Sequence, residues 1–226
     1  MKTLIIATGP QGSGNHMWSK VFSQCLGITG WDQLTKDYWV GHGDEPFSNV
    51  WEDPGLFAEL NWDDGIYYTS ISCPYIIKGG PEMDQDGNGR EPKYQQFIQS
   101  AIDAGFKVKV LVIGRDKNIL ECQQTRIRKV ATTDRFLDVL PKLLPFEPLF
   151  ISTELLYLYE EKYLNQISKL IDIPLNIAQD KLLQILSDNA NAKYVKPIST
   201  YWLDDHMKNL AKTHGKTNKY KYNKGE

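Results

Sequence analysis

The N-terminal 27 residues constrain the fold more than any other stretch of this chain. Residues 3–8, Thr-Leu-Ile-Ile-Ala-Thr, are an apolar, β-branched run, the composition of a buried strand. The turn Gly9-Pro10-Gln11-Gly12-Ser13-Gly14 follows at once. Met17, Trp18, Val21, Phe22, Cys25 and Leu26 then recur at helical spacing up to Gly27. Such a turn between strand and helix gathers backbone N–H groups into a concave nest, and the helix N-terminus adds about half a positive charge. Glycines supply the positive φ that the turn needs and let an anion approach the backbone. The unit therefore predicts a phosphate site on Gly9, Gly12 and Gly14.

The rest of the chain alternates strands with helices. Residues 66–72, 107–113 and 148–152 read as further strands, and 94–102, 116–130, 133–144, 154–171 and 176–187 as helices. This alternation predicts an α/β fold: a mainly parallel sheet with helices on both faces, in a single domain over residues 1–226. Residues 28–65 carry Trp31, Trp39, Trp51 and Trp62 among Gly, Asp, Pro and Asn. They read as a loop-rich lid or acceptor segment, with Trp39 and Trp51 as stacking candidates and Trp18 as core. Residues 79–92 read as a loop. Its Asp84-Gln85-Asp86-Gly87-Asn88-Gly89 run reads as a turn, because Gln95 stands where a calcium loop needs a bidentate carboxylate. Residues 212–226 hold five lysines against one glutamate and read as a basic, flexible tail.

Composition narrows the function classes. The formal net charge is −2, which argues against a nucleic-acid coat. No apolar run is long enough for a membrane span. Three scattered cysteines, Cys25, Cys73 and Cys122, fit a reducing, cytoplasmic compartment rather than a disulfide framework. The histidines His16, His42, His206 and His214 form no zinc-binding pair, so no metal site is expected.

The turn looks like the opening of a nucleotide-kinase P-loop, but Asn15 and His16 stand where Lys and Ser/Thr would neutralise phosphates and hold Mg²⁺. A loop without the magnesium hydroxyl suits a group transfer that needs no metal, and sulfuryl transfer fits. Its donor, 3′-phosphoadenosine 5′-phosphosulfate, carries a second phosphate on the ribose that needs its own basic site. After the third strand comes Val112-Ile113-Gly114-Arg115-Asp116, with Gln123 eight residues beyond the arginine. This resembles the sulfotransferase pattern of a strand ending in Arg-Asp-Pro followed by a helix with a serine at that spacing. Lys117 replaces the proline and Gln123 the serine. The stretch Phe150–Leu175, with Ile173-Pro174, is similar to the family's late strand and helix, a structural stretch.

The resemblance implies that Arg115, with Gln123 as an amide donor, binds the 3′-phosphate. It implies that Gly12, Ser13, Gly14, Asn15 and His16 hold the 5′-phosphosulfate. The family's loop reads Lys-Ser-Gly-Thr-Thr, and this chain departs at Gly12, Asn15 and His16; Gln11, His16 or Lys20 are the substitutes for the lysine. The family's base is a His or Glu, and His42 is the candidate in chain order, with His16 beside the donor and Glu45 and Glu52 as weaker alternatives. His214-Gly215-Lys216 is the local match to a late basic loop. The expected activity is sulfuryl transfer to a hydroxyl or amine of a small-molecule or glycan acceptor. A nucleoside or nucleotide kinase and a nucleotide-binding module without turnover are the alternatives.

Overall fold

The computed structural model describes residues 1–30, 47–75 and 89–187, all within the unit Met1–Asp188. Five strands form one sheet: β1 (Lys2–Pro10), β2 (Ile28–Thr29), β3 (Gly65–Cys73), β4 (Phe106–Gly114) and β5 (Leu149–Ser152). Their order is β2-β3-β1-β4-β5, and every pairing is parallel. β1 is central: Leu4 lies between Tyr67 and Val108, and Ile6 between Thr69 and Val110. Its apolar run is continuous because both faces are covered, and Leu4, Ile5, Ile6 and Ala7 are all fully buried. The sheet is the expected α/β architecture.

Helices cover the two faces. On one, α1 (Asn15–Ser23), α6 (Thr153–Ile171) and α7 (Gln179–Ser187) pack Trp18, Phe22, Leu164 and Leu182 against Ile5, Ala7, Leu111 and Ile113. On the other, α2 (Ser48–Glu52), a 3₁₀ turn (Pro54–Ala58), α3 (Tyr94–Asp103) and α5 (Thr133–Val139) pack around Leu4, Ile6, Val110 and Val112. The two sets come from alternate residues of β1 and β4, as strand geometry requires. The remaining helix, α4 (Lys117–Arg128), follows β4 directly.

Three expectations are corrected. The helix expected over 133–144 stops at Val139, and two 3₁₀ turns, Leu140–Lys142 and Leu144–Phe146, follow with Pro141 and Pro145 as their second residues, since proline lacks the N–H an α-helix would use. The final helix begins at Gln179, not 176. Trp51 is not a ligand platform. It is 2% exposed, stacks on Phe97 at 3.6 Å and 5°, and donates its indole N–H to Thr69 Oγ1 at 3.0 Å. Within the expected loop-rich lid, 28–65, Ile28–Thr29 form the edge strand β2, and in the described stretch 47–65 Phe47 stacks on Trp62 at 5.0 Å and packs against Phe57, an aromatic layer rather than an open loop. Trp31 and Trp39, the 84–88 part of the calcium-like turn and the basic tail lie outside the described residues.

Candidate functional site

β1 leads into α1 on one face, whereas β4 leads through α4 to α5 on the other. At such a reversal the connections diverge and leave a crevice beyond the carboxyl ends of the two strands. Its rim consists of the turn after β1 and the residues after β4, Arg115 and Asp116.

The turn is shaped by its glycines. Gly12 has φ 85° and Gly14 φ 111°, a region costly for residues with a Cβ. Space is tight as well, most of all at Gly14. A Cβ on Gly12 would lie 3.1 Å from the Gln123 side chain, and one on Gly14 2.7 Å from Thr153 Oγ1. Ser13 N–H donates to the Pro10 carbonyl at 3.0 Å, and Trp18 N–H makes the first α-helical bond, to Gly14 at 3.0 Å. The N–H groups of Asn15, His16 and Met17 thus precede the helical ladder and have no acceptor within the helix. The first turn of α1 holds no acidic side chain, so its positive end is not neutralised locally.

Three successive loop carbonyls are held from three directions. Gln124 Nε2 donates to the Gln11 carbonyl at 2.7 Å. Arg115 Nη1 donates to the Gly12 carbonyl and to Gln123 Oε1. Thr153 Oγ1 donates to the Ser13 carbonyl at 2.7 Å. The structure thereby brings Gly12, Arg115 and Gln123 together at the crevice rim. Ser13 Oγ makes a long, 3.4 Å bond to Asn15 Oδ1, and Asn15 Nδ2 is buried with no partner among the described residues. His16 is the second residue of α1. Asp116 caps α4 through Ile119 N–H at 3.0 Å, and its own N–H donates to Glu154 Oε1 at 3.1 Å.

Several substitute roles disappear in this geometry. Gln11 cannot stand in for a loop lysine: it is buried, and its Oε1 accepts from Thr132 Oγ1 at 3.1 Å. Glu52 accepts from Tyr75 OH at 2.6 Å and from Arg90 at 3.0 Å, so both its oxygens are committed to holding α2 against the end of β3. Burial, followed by the Glu52 contact, pushes the Tyr75 phenol up. Burial also pushes the thiols of Cys25 and Cys73 up to about 12, which removes them as nucleophiles. His42 and Glu45, the candidate bases, lie outside the described residues, as does His214.

Sequence reasoning missed Gln124, Thr132 and Thr153. A faint signal existed for two of them. Gln124 falls one turn after buried Leu120, a polar side chain on an inward face. Thr153 follows Ser152, the N-cap of α6, whose Oγ accepts from Leu155 N–H at 3.2 Å.

Among the described residues no helix is long and apolar enough to cross a membrane. No family model matches the sequence, and no curated protein matches it. Several solved structures are distantly similar, two of them as follows. Mouse sulfotransferase SULT7A1 complexed with PAP is 12% identical with a TM-score of 0.43, over 84% of this chain. This chain spans 65% of that protein's length. The tunicamycin resistance protein of Deinococcus radiodurans is 15% identical with a TM-score of 0.45, over 77% of this chain and 98% of that one.

Proposed function

We propose that the chain binds 3′-phosphoadenosine 5′-phosphosulfate at the β1–β4 crevice and transfers its sulfuryl group to a hydroxyl or amine. One observation carries this reading. Arg115 donates both to the Gly12 carbonyl of the glycine loop and to Gln123, an arrangement that supports the reading of a second anion site beside the loop, as a doubly phosphorylated nucleotide requires. The amides of Gly12, Gly14 and Asn15 hold the phosphosulfate, with the dipole of α1 behind them, while Ser13 N–H closes the turn on Pro10. Arg115 and Gln123 hold the ribose 3′-phosphate. In the transfer the acceptor oxygen or nitrogen bonds to sulfur while the bond from sulfur to the phosphate oxygen breaks. A base, His42, takes the acceptor proton, and adenosine 3′,5′-bisphosphate leaves. Charge develops on the departing oxygen, where loop N–H groups and His16 stabilise it. The acceptor is a small molecule or a glycan.

Calorimetry with adenosine 3′,5′-bisphosphate and with Mg-ATP tests the nucleotide. The bisphosphate binds without Mg²⁺ and ATP binds more weakly; tight Mg-ATP binding alone moves the assignment to a kinase. Labelled donor offered with a panel of glycans and alcohols then tests turnover. A second reading, a binding module without turnover, is favoured by Gly12. It stands where the family's loop has its lysine, so no ammonium is supplied there for the bridging oxygen. Bisphosphate binding with no acceptor labelled selects that reading.

A further inference from the structure

We infer that Gln124 and Thr153 are positioning residues that aim the Gly12 and Gly14 N–H groups of the loop toward the bound anion. The inference rests on the phosphate-loop reading above and adds two residues that never touch the ligand.

In a planar trans peptide the carbonyl of one residue and the N–H of the next point in opposite directions. Fixing three successive carbonyls therefore fixes the three following N–H groups. Gln124 holds the Gln11 carbonyl and so sets the Gly12 N–H. Arg115 holds the Gly12 carbonyl and so sets the Ser13 N–H, which closes the turn on Pro10. Thr153 holds the Ser13 carbonyl and so sets the Gly14 N–H. Gln124 is fully buried and Thr153 2% exposed. The carbonyls they hold face the interior, so the Gly12 and Gly14 N–H groups face outward. Neither finds an acceptor among the described residues.

Each clamp is made directional by its neighbours. Gln124 Oε1 accepts from Thr132 N–H at 2.7 Å and from Thr133 Oγ1 at 3.1 Å. Only its NH₂ is then left for Gln11. Trp18 Nε1 donates to Thr153 Oγ1 at 3.3 Å, which leaves the threonine proton for the Ser13 carbonyl. A loop with no lysine leans more on its N–H dipoles for binding, and the clamps hold those dipoles in place before the ligand arrives.

The test compares Thr153→Val, Thr153→Ser and Gln124→Met with the wild-type chain. Three quantities are read: bisphosphate affinity by calorimetry, amide exchange over residues 12–16, and melting temperature. Thr153→Val and Gln124→Met each weaken binding about tenfold at temperatures where the fold is intact, with faster exchange at Ser13, whose N–H closes the turn on the Pro10 carbonyl. Thr153→Ser keeps the hydroxyl and stays within about twofold of wild type. A purely structural role lowers the melting temperature and leaves affinity and loop exchange unchanged. That outcome overturns the inference, as does a Thr153→Ser loss equal to that of Thr153→Val. Where Thr153→Val does not fold, Gln124→Met carries the same comparison. Absence of bisphosphate binding by the wild-type chain defeats the proposed function. The exchange difference between Thr153→Val and Thr153→Ser then still decides the positioning role.

Discussion

Arg115 donates to the carbonyl of Gly12 across 103 residues of chain. The bond joins the end of β4 to the turn after β1, the two strands whose connections diverge. It sets the guanidinium proposed to hold the ribose 3′-phosphate against the glycine loop proposed to hold the phosphosulfate.

Arg115→Ala therefore removes a phosphate contact and a loop anchor together. A lost charge-assisted contact costs on the order of 1.5–3 kcal/mol, and the change should weaken bisphosphate binding about 10- to 150-fold. The fold should persist, because the residue ends a strand rather than filling the core. Titration of the variant with bisphosphate, alongside its circular dichroism, measures both. Wild-type affinity would remove the second phosphate site.

Restoring a lysine at Gly12 should not improve the protein. A left-handed φ costs a residue with a Cβ roughly 1–2 kcal/mol, and the new side chain meets Gln123. Gly12→Lys should lower the melting temperature and give no gain in donor affinity. A tighter-binding, fully stable Gly12→Lys chain would show that the turn relaxes freely and that its backbone does not bar the lysine.

The two histidines should separate by assay. His42→Ala should abolish acceptor-dependent turnover, at a typical general-base cost of about 10² to 10⁴ in rate, with donor affinity nearly unchanged. His16→Ala should lower both donor affinity and rate, because His16 sits in the first turn of α1. Equal turnover by wild type and His42→Ala transfers the base role elsewhere.

Thiol reactivity and alkaline stability should follow burial. Cys25 and Cys73 stay protonated in the folded state to about pH 12, against a usual value of 9.0. Cys122 is exposed, so a disulfide reagent at pH 8 should modify one thiol rapidly and three only after unfolding. A raised folded pKa means that the unfolded state loses its protons first. The contribution is thus fully present below about pH 9 and is lost as the pH rises toward 12. The urea midpoint should fall between pH 8.5 and about 10; a midpoint that rises there contradicts the burial of both thiols.

Trp51→Ala should destabilise the fold by about 3–5 kcal/mol, the usual cost of emptying an aromatic site in a core, and leave nucleotide affinity unchanged in the folded fraction. Urea unfolding and calorimetry on the same sample check both halves. Loss of affinity without loss of stability would return Trp51 to the binding surface.

What the sequence determined by itself was local. The apolar run of β1, the glycines that must take positive φ and the helical spacing after them lie within one short segment, and propensity and backbone sterics act over that range. Arg115 and Gln123 were singled out by the resemblance of their stretch to the sulfotransferase pattern, and that their side chains bond to each other is a finding of the structure. The tertiary structure alone decided which distant side chains stand beneath the loop. Gln124 reaches Gln11 across 113 residues and Thr153 reaches Ser13 across 140, contacts that exist because the sheet order sets β4 beside β1 and β5 beside β4. It also decided the fate of Trp51. A tryptophan among Asp, Pro and Gly has the local composition of an exposed loop, and it is core because Phe97, from a helix more than forty residues away, covers its face.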